Sequence, residues 1–236
     1  MIRHSTPKSS TARALPREAL ARMPKVELHR HLEGAFHLET LFALSKKNKI
    51  DVPRNLEDFK RAVQFPKDAE PDFLKFLSLF RNDWYGSMDD VAEITYRSVL
   101  HFREENIYYT ELRFSPEHFA WHNNFDRNEV ARTVIDAADS AAEEIGMEIR
   151  YLITFNRMKQ SQEEMGVLYD QIRDLSIPSI VGIDLAGDEK NYPPELFANF
   201  FDRVKRDGLY GITIHAGEVT EPSQIWAAID QLHAMR

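Results

Sequence analysis

Two short stretches of this 236-residue chain carry residue types that could do chemistry together: Glu27-Leu-His-Arg-His-Leu-Glu-Gly34 and Gly211-Ile-Thr-Ile-His-Ala-Gly-Glu218. In the first, His29 and His31 are two apart. On a strand such residues point to one face, with Cα atoms roughly 7 Å apart, so both imidazoles can reach one ion. In the second, His215 closes an apolar strand, and Glu218 follows three residues later. Three neutral nitrogen ligands and one proton donor make up most of a zinc site that activates water. With nine histidines in the chain, the His-x-His pair alone is weak, and an ordinary surface or core pair is its plain alternative. Its place at the end of an apolar strand, ahead of Glu33 and Gly34, raises its value.

His215 is the stronger signal. Ile212 and Ile214 take one strand face, and Thr213 and His215 the other. A buried histidine needs a partner, and Ala216 and Gly217 leave room for a ligand. In a dry pocket Glu218 would have its pKa raised and could donate a proton near neutral pH; capping the helix after Pro222 is the plainer role. The third landmark is Gly182-Ile-Asp-Leu-Ala-Gly-Asp-Glu189. Gly187 at its strand end lets backbone N–H groups approach a bound ring. Asp188 shares that strand-end position, although Asp188 or Glu189 could equally cap the next helix. His4, His37, His101, His118, His122 and His233 get no site role: His37, His101 and His233 read as helical, and His118 and His122 as loop. Phe73–Phe80 reads first as core, with a lid over a pocket as the alternative. Glu111, Arg113 and Ser115 read as an inward polar layer.

These residues need strands to present them. Residues 1–23 read as a polar lead-in with a short helix near Arg17–Arg22. Arg3, Arg13, Arg17 and Arg22 among several Ser and Thr would also suit a transit peptide, but a plain flexible terminus is the preferred reading. From residue 24 onward strands alternate with helices: Val26–Gly34, Tyr108–Ser115, Glu148–Phe155, Ile180–Ala186 and Gly211–His215 as strands, with helices at Leu38–Lys47, Asp90–Glu105, Arg127–Ile145, Gln162–Leu175, Pro194–Arg206 and Ser223–Met235. Residues 51–87 read as a helical insertion after the first strand. Strand–helix alternation builds a parallel sheet. A doubly wound open sheet normally shows a Gly-rich phosphate loop, and none is present. The prediction is therefore α/β, a TIM (β/α)8-type barrel with about five of its eight units, in one domain over 24–236. Such a barrel puts its site at the C-terminal strand ends, where His29, His31, Asp188, His215 and Glu218 fall.

Composition narrows the partners. Apolar residues are 43% and charged residues 29% of the chain, and the net charge is −8. Unclustered Lys and Arg with a net negative charge argue against a nucleic-acid partner. No run approaches the roughly 20 apolar residues of a membrane span, and the first two dozen residues lack a signal-peptide core, so a cytoplasmic protein without a membrane partner is expected. With no cysteine, a metal must be held by His, Asp or Glu. A neutral small molecule is the expected ligand, and the sequence sets no oligomeric state.

Taken in order, these landmarks resemble the adenosine deaminase family. Pro24-Lys-Val-Glu-Leu-His-Arg-His-Leu-Glu-Gly34 is similar to its first-strand motif, Glu111-Leu-Arg-Phe-Ser-Pro116 to its second-strand segment, and Gly182–Glu189 and His215-Ala-Gly-Glu218 to its fourth- and fifth-strand motifs. The resemblance runs from about Leu15 to Arg236. It implies a barrel with one Zn2+ that hydrolyses the 6-amino group of a purine nucleoside. His29, His31 and His215 would hold the zinc, Glu218 would protonate a purine ring nitrogen, and the Gly187 N–H would hold another. His31, Glu33 and Gly187 would face substrate, residue 33 near the ribose. Where the family commonly has Asp and an apolar residue, this chain has Glu33 and Arg30. Relatives acting on free adenine or a modified nucleoside often carry Glu at that place, while Asp184-Leu-Ala-Gly-Asp188 is of the nucleoside type. The family's next histidine, and the aspartates that complete the metal site, would lie beyond Arg236, so the resemblance implies an incomplete enzyme sequence. Two other readings compete. A two-metal hydrolase of the same barrel type would carry a lysine on a central strand, and Ile180–Ala186 has none. A non-catalytic homologue or inactive fragment is the other.

Overall fold

The computed structural model describes residues 16–236, so the part of the lead-in that holds Arg3, His4 and Arg13 lies outside the described residues. The elements are, in order, α1 (Arg17–Arg22), β1 (Lys25–His31), a 3-10 turn (Leu32–Gly34), α2 (Leu38–Lys47), α3 (Leu56–Val63), α4 (Phe73–Ser78), α5 (Met88–His101), a second 3-10 turn (Phe102–Glu105), β2 (Ile107–Phe114), α6 (Pro116–Ala120), α7 (Arg127–Ile145), β3 (Glu148–Asn156), α8 (Gln162–Leu175), β4 (Ile180–Ala186), a third 3-10 turn (Pro194–Phe197), α9 (Ala198–Asp207), β5 (Gly211–Ile214) and α10 (Ser223–Leu232). Among the described residues no helix is long and apolar enough to cross a membrane.

The five strands form one parallel sheet in the order β1-β2-β3-β4-β5. Alternation sorts their side chains. Leu112, Phe114, Ile153, Phe155, Ile183, Leu185 and Ile212 are buried apolar residues on the helix side: the Phe155 ring lies 5.0 Å from Phe200 of α9, and Tyr151 Oη donates to Asp139 of α7 at 2.7 Å. Each such side chain stabilises the fold by about 1.5–3 kcal/mol on leaving water. Arg113, Thr154, Asp184 and Thr213 form the opposite, polar layer, and all four are buried. Arg113 Nη1 donates to Asp184 Oδ1 at 3.0 Å, and Thr213 Oγ1 donates to it at 2.6 Å. A buried charge pair needs hydrogen bonds to persist; this layer supplies them across β2, β4 and β5 to Asp184 Oδ1, and Arg113 Nη2 donates to the Leu28 carbonyl at 3.1 Å.

The sheet is curled into part of a barrel. Flat neighbouring strands spaced about 4.8 Å apart would put β1 and β5 roughly 19 Å apart, yet His29 Nε2 and His215 Nε2 are 3.0 Å apart. Only a closed-up sheet lets the first and last strands meet through side chains.

Local signals explain most boundaries. Asp126 caps α7 through the N–H groups of Asn128 and Glu129, and Ser161 forms a full capping box with Glu164 at α8. Gly146 and Gly208 end α7 and α9 in left-handed conformation.

Several expectations need correction. Strand β1 stops at His31, so Glu33 leaves the alternating face and sits in the 3-10 turn. The first strand is less apolar in its surroundings than expected: Leu32 is buried, but Leu28 is 40% exposed. Asp90–Glu105 is α5 beginning at Met88 behind the cap Ser87, with a 3-10 turn at its end. Pro194–Arg206 is likewise a 3-10 turn followed by α9. His118 is in α6, not a loop, because Ser115 caps a helix with Pro116 in its first turn. Helix α10 ends at Leu232, and His233 follows as a left-handed cap whose Nε2 is 2.7 Å from Asp202. Met235 and Arg236 then hydrogen-bond to β5.

Candidate metal centre and substrate cavity

The C-terminal strand ends converge on a cavity of about 670 Å³, within the range of small-molecule sites. One wall presents His29, His31, His215, Gly187 and Glu218. The opposite wall is α4 with Phe73, Leu74, Phe76 and Leu77, followed by Phe80. Helix α4 buries none of its residues, so this stripe is pocket wall rather than core, the alternative that the sequence left second.

His215 lies just past β5, its N–H donating to the Leu185 carbonyl at 2.9 Å. Its Nε2 is 3.0 Å from His29 Nε2 and 3.1 Å from His31 Nε2, and one ligand atom from each ring lies within 4.8 Å of the others. The far side of the His215 ring decides what this means. Nδ1 is 3.2 Å from the Leu185 carbonyl and 3.3 Å from Asp184 Oδ1. Both are acceptors, so Nδ1 carries the proton and Nε2 offers its lone pair. Two further imidazoles then aim at one lone pair, which cannot accept well from both. A single divalent cation satisfies all three. Tetrahedral ligands about 2.0–2.1 Å from zinc lie roughly 3.3 Å from one another, close to the distances found. Three histidines with an open position are a catalytic rather than a structural donor set.

The electrostatics agree with neutral ligands at β1. Burial pushes the His31 pKa down to about 3, and burial followed by the Arg113 charge lowers that of His29. Burial also pulls His215 down, but the Asp184 charge and hydrogen bond outweigh it and leave its pKa raised. Asp184 pays a burial penalty in turn, yet His215 and Arg113 hold it well below the usual carboxylate range.

Glu33 also lines the cavity. Its Oε1 accepts from the Ser115 N–H at 2.6 Å, while Oε2 is buried without a partner among the described residues. Burial lifts its pKa to about 7, partly offset by the Ser115 N–H. Gly187 has φ +110°, and a Cβ there would meet Asn156 Oδ1 at 3.2 Å and Arg157 Cγ at 3.3 Å, so only glycine fits this cavity-facing turn. Glu218 is exposed at the rim; the dry pocket expected from the sequence does not surround it among the described residues, because it lies beyond β5, the last strand of the sheet. Asp188 turns back on its own loop, accepting from the N–H groups of Lys190 and Asn191. It is neither a ligand nor a helix cap. Arg30 pairs with Glu105 at 2.7 and 2.8 Å and stacks on Phe102.

Three residues have places at the site that the sequence did not assign them. His118 lines the cavity, buried, with its Nε2 3.3 Å from Tyr85 Oη, and burial takes its pKa down to about 3. The Ser-Pro-Glu start of α6 was the signal that would have put it on a helix. Arg157 and Glu189 are buried and bond to the loop after β5. Their partners lie 28 to 58 residues away, and no local pattern announces them.

With this geometry in place, the comparisons are direct. The profile of the family described as "Adenosine deaminase" matches residues 24–236. An adenosine deaminase of Aliivibrio fischeri is 33% identical over 225 residues, which cover 92% of this chain and 65% of that protein. The chain thus spans about 65% of the length of that curated relative. Among solved structures, an adenine deaminase of Arthrobacter aurescens superposes with TM-score 0.78 at 25% identity, over 90% of this chain and 63% of that one. The N6-mAMP deaminase of Arabidopsis gives TM-score 0.74 at 26% identity, over 90% and 64%.

Proposed function

Because the chain belongs to the adenosine deaminase family, we propose that it carries the metal- and substrate-binding wall of a zinc-dependent hydrolase that converts adenosine or 2'-deoxyadenosine, with water, to inosine or deoxyinosine and ammonia. One observation carries this reading: His29 and His31 both aim at the lone pair of His215 Nε2, at 3.0 and 3.1 Å, on the wall of a cavity that also presents Gly187 and Glu218.

His29, His31 and His215 would hold the ion, and Asp184 would fix the His215 tautomer from behind. Zinc supplies a Lewis acid that brings the pKa of water at the site toward about 7. The Glu218 carboxyl would give its proton to a purine ring nitrogen, making the amine-bearing carbon easier to attack. The Gly187 N–H would hold a second ring nitrogen. The apolar α4 wall would cover the purine and exclude water. Glu33 Oε2, buried and without a partner among the described residues, would accept from a sugar hydroxyl.

A second reading keeps the chemistry and changes the substrate to adenine or a modified adenine nucleoside. Glu33 favours it, being one methylene longer than the family's usual Asp. The test is amine release by the zinc-loaded protein, expressed from its complete coding sequence, with ammonia read on adenosine and adenine and methylamine read on N6-methyl-AMP in parallel. Release from adenosine supports the first reading, release from only one of the others supports the second, and release from none overturns both.

A further inference from the structure

Glu218 belongs to a turn that other loops hold. Glu189, 1% exposed, reaches across from the loop after β4. Its Oε2 accepts from the Gly217 N–H at 2.7 Å, and its Oε1 accepts from the Val219 N–H at 2.6 Å. These are the residues on either side of Glu218. Arg157, also 1% exposed, reaches from the loop after β3 and donates to the His215 carbonyl at 2.5 Å and the Tyr192 carbonyl at 3.2 Å. Gly217 takes φ +75°, and a Cβ there would lie 2.5 Å from Ile225 Cγ1, so the turn has little room to relax.

We propose that Glu189 is a positioning residue for Glu218: one buried carboxyl, with an oxygen on each flanking N–H, fixes the backbone direction from which the Glu218 side chain enters the cavity. The proposal rests on the reading of Glu218 as proton donor. A buried carboxyl needs hydrogen-bond donors anywhere, and satisfying it could be all that these contacts do. What points beyond that is where they fall. Bonds on both sides of Glu218 remove rotation of the segment about its own axis, whereas a single bond would leave it free to swing. A proton donor displaced by about 1 Å can lose about a hundredfold in rate.

Glu189→Gln keeps size but turns one acceptor into a donor facing an N–H; Glu189→Ala removes both acceptors. Both are tested in the zinc-loaded protein expressed from its complete coding sequence. Three quantities are read: zinc per chain, kcat and KM on adenosine, and amide hydrogen exchange at Gly217 and Val219. The proposal expects full zinc, KM within about twofold, kcat lowered about tenfold in Gln and about a hundredfold in Ala, and faster exchange at both amides. It is overturned by unchanged exchange, by unchanged kcat despite faster exchange, or by zinc loss that tracks the activity loss. A wild-type protein that releases neither ammonia from adenosine or adenine nor methylamine from N6-methyl-AMP overturns the deaminase reading, and with it the role of Glu218, while the exchange data still report separately whether Glu189 holds the turn.

Discussion

Asp184 Oδ1 lies 3.3 Å from His215 Nδ1, on the side of the ring opposite the Nε2 that faces His29 and His31. The same oxygen accepts from Arg113 Nη1 and Thr213 Oγ1. One buried carboxylate therefore joins the polar layer inside the sheet to the candidate metal centre. It sets the proton position on His215 and holds the ring where the other two imidazoles meet it. Partners of this kind tune metal affinity by about 10–100-fold.

Asp184→Asn tests that link. It removes the charge that faces Arg113 and leaves the uncharged Leu185 carbonyl to hold the proton on His215 Nδ1. Zinc affinity should fall about 10–100-fold, measured by competition with a chromophoric chelator. Stability should fall by about 3–5 kcal/mol, because Arg113 loses its buried partner. Unchanged zinc affinity would mean that the tautomer is set elsewhere.

Glu218→Gln keeps the shape of the side chain and removes the carboxyl group proposed as proton donor. Zinc content should stay at the wild-type level, and kcat on the best substrate should fall by about 10²–10⁴-fold. A near-normal rate would take the proton-donor role away from Glu218.

Gly187→Ala puts a Cβ against Asn156 and Arg157 at φ +110°. The strain should cost about 1–3 kcal/mol, read as a lower urea midpoint at unchanged slope. KM should rise, since the displaced N–H is the one expected to meet the purine. Equal midpoints for the two proteins would show that the turn relaxes freely.

His118 gives an acid dependence with a defined sign. Burial lowers its pKa from the ordinary imidazole value of about 6.5 to about 3. Between those values the unfolded chain binds the proton and the folded chain does not, so its contribution to stability is complete above about pH 6.5 and is lost as pH falls toward 3. In that window the slope from one such group is about 1.4 kcal/mol per pH unit. Urea unfolding of His118→Gln at pH 7 and pH 5 should show a flatter pH dependence by that amount. Identical slopes for variant and wild type would contradict a buried neutral His118.

How much of this was readable in the chain follows from the range of each signal. The strand faces of Ile212, Thr213 and His215, the caps Asp126 and Ser161, and the glycines ending α7 and α9 are local, and the sequence states them. So is the pairing of His29 with His31. Their meeting with His215 is not local: it needs the curl of five strands, and the family resemblance supplied it before geometry could. The turn that takes Glu33 off β1 defeated a simple alternation count. The stripe of Phe73–Phe80 has core-like composition and lines a cavity instead, since periodicity gives the apolar face and not what lies against it. Arg157 was not singled out, and Glu189 was read only as a candidate helix cap, because buried charged residues declare their roles only through distant partners.

The central claim, that His29, His31 and His215 share one ion, is tested most directly by metal content. After zinc loading and exhaustive desalting of the protein expressed from its complete coding sequence, elemental analysis should find one zinc per wild-type chain and essentially none in folded His215→Ala. Stoichiometric zinc in His215→Ala, or no zinc in the wild type, would contradict it.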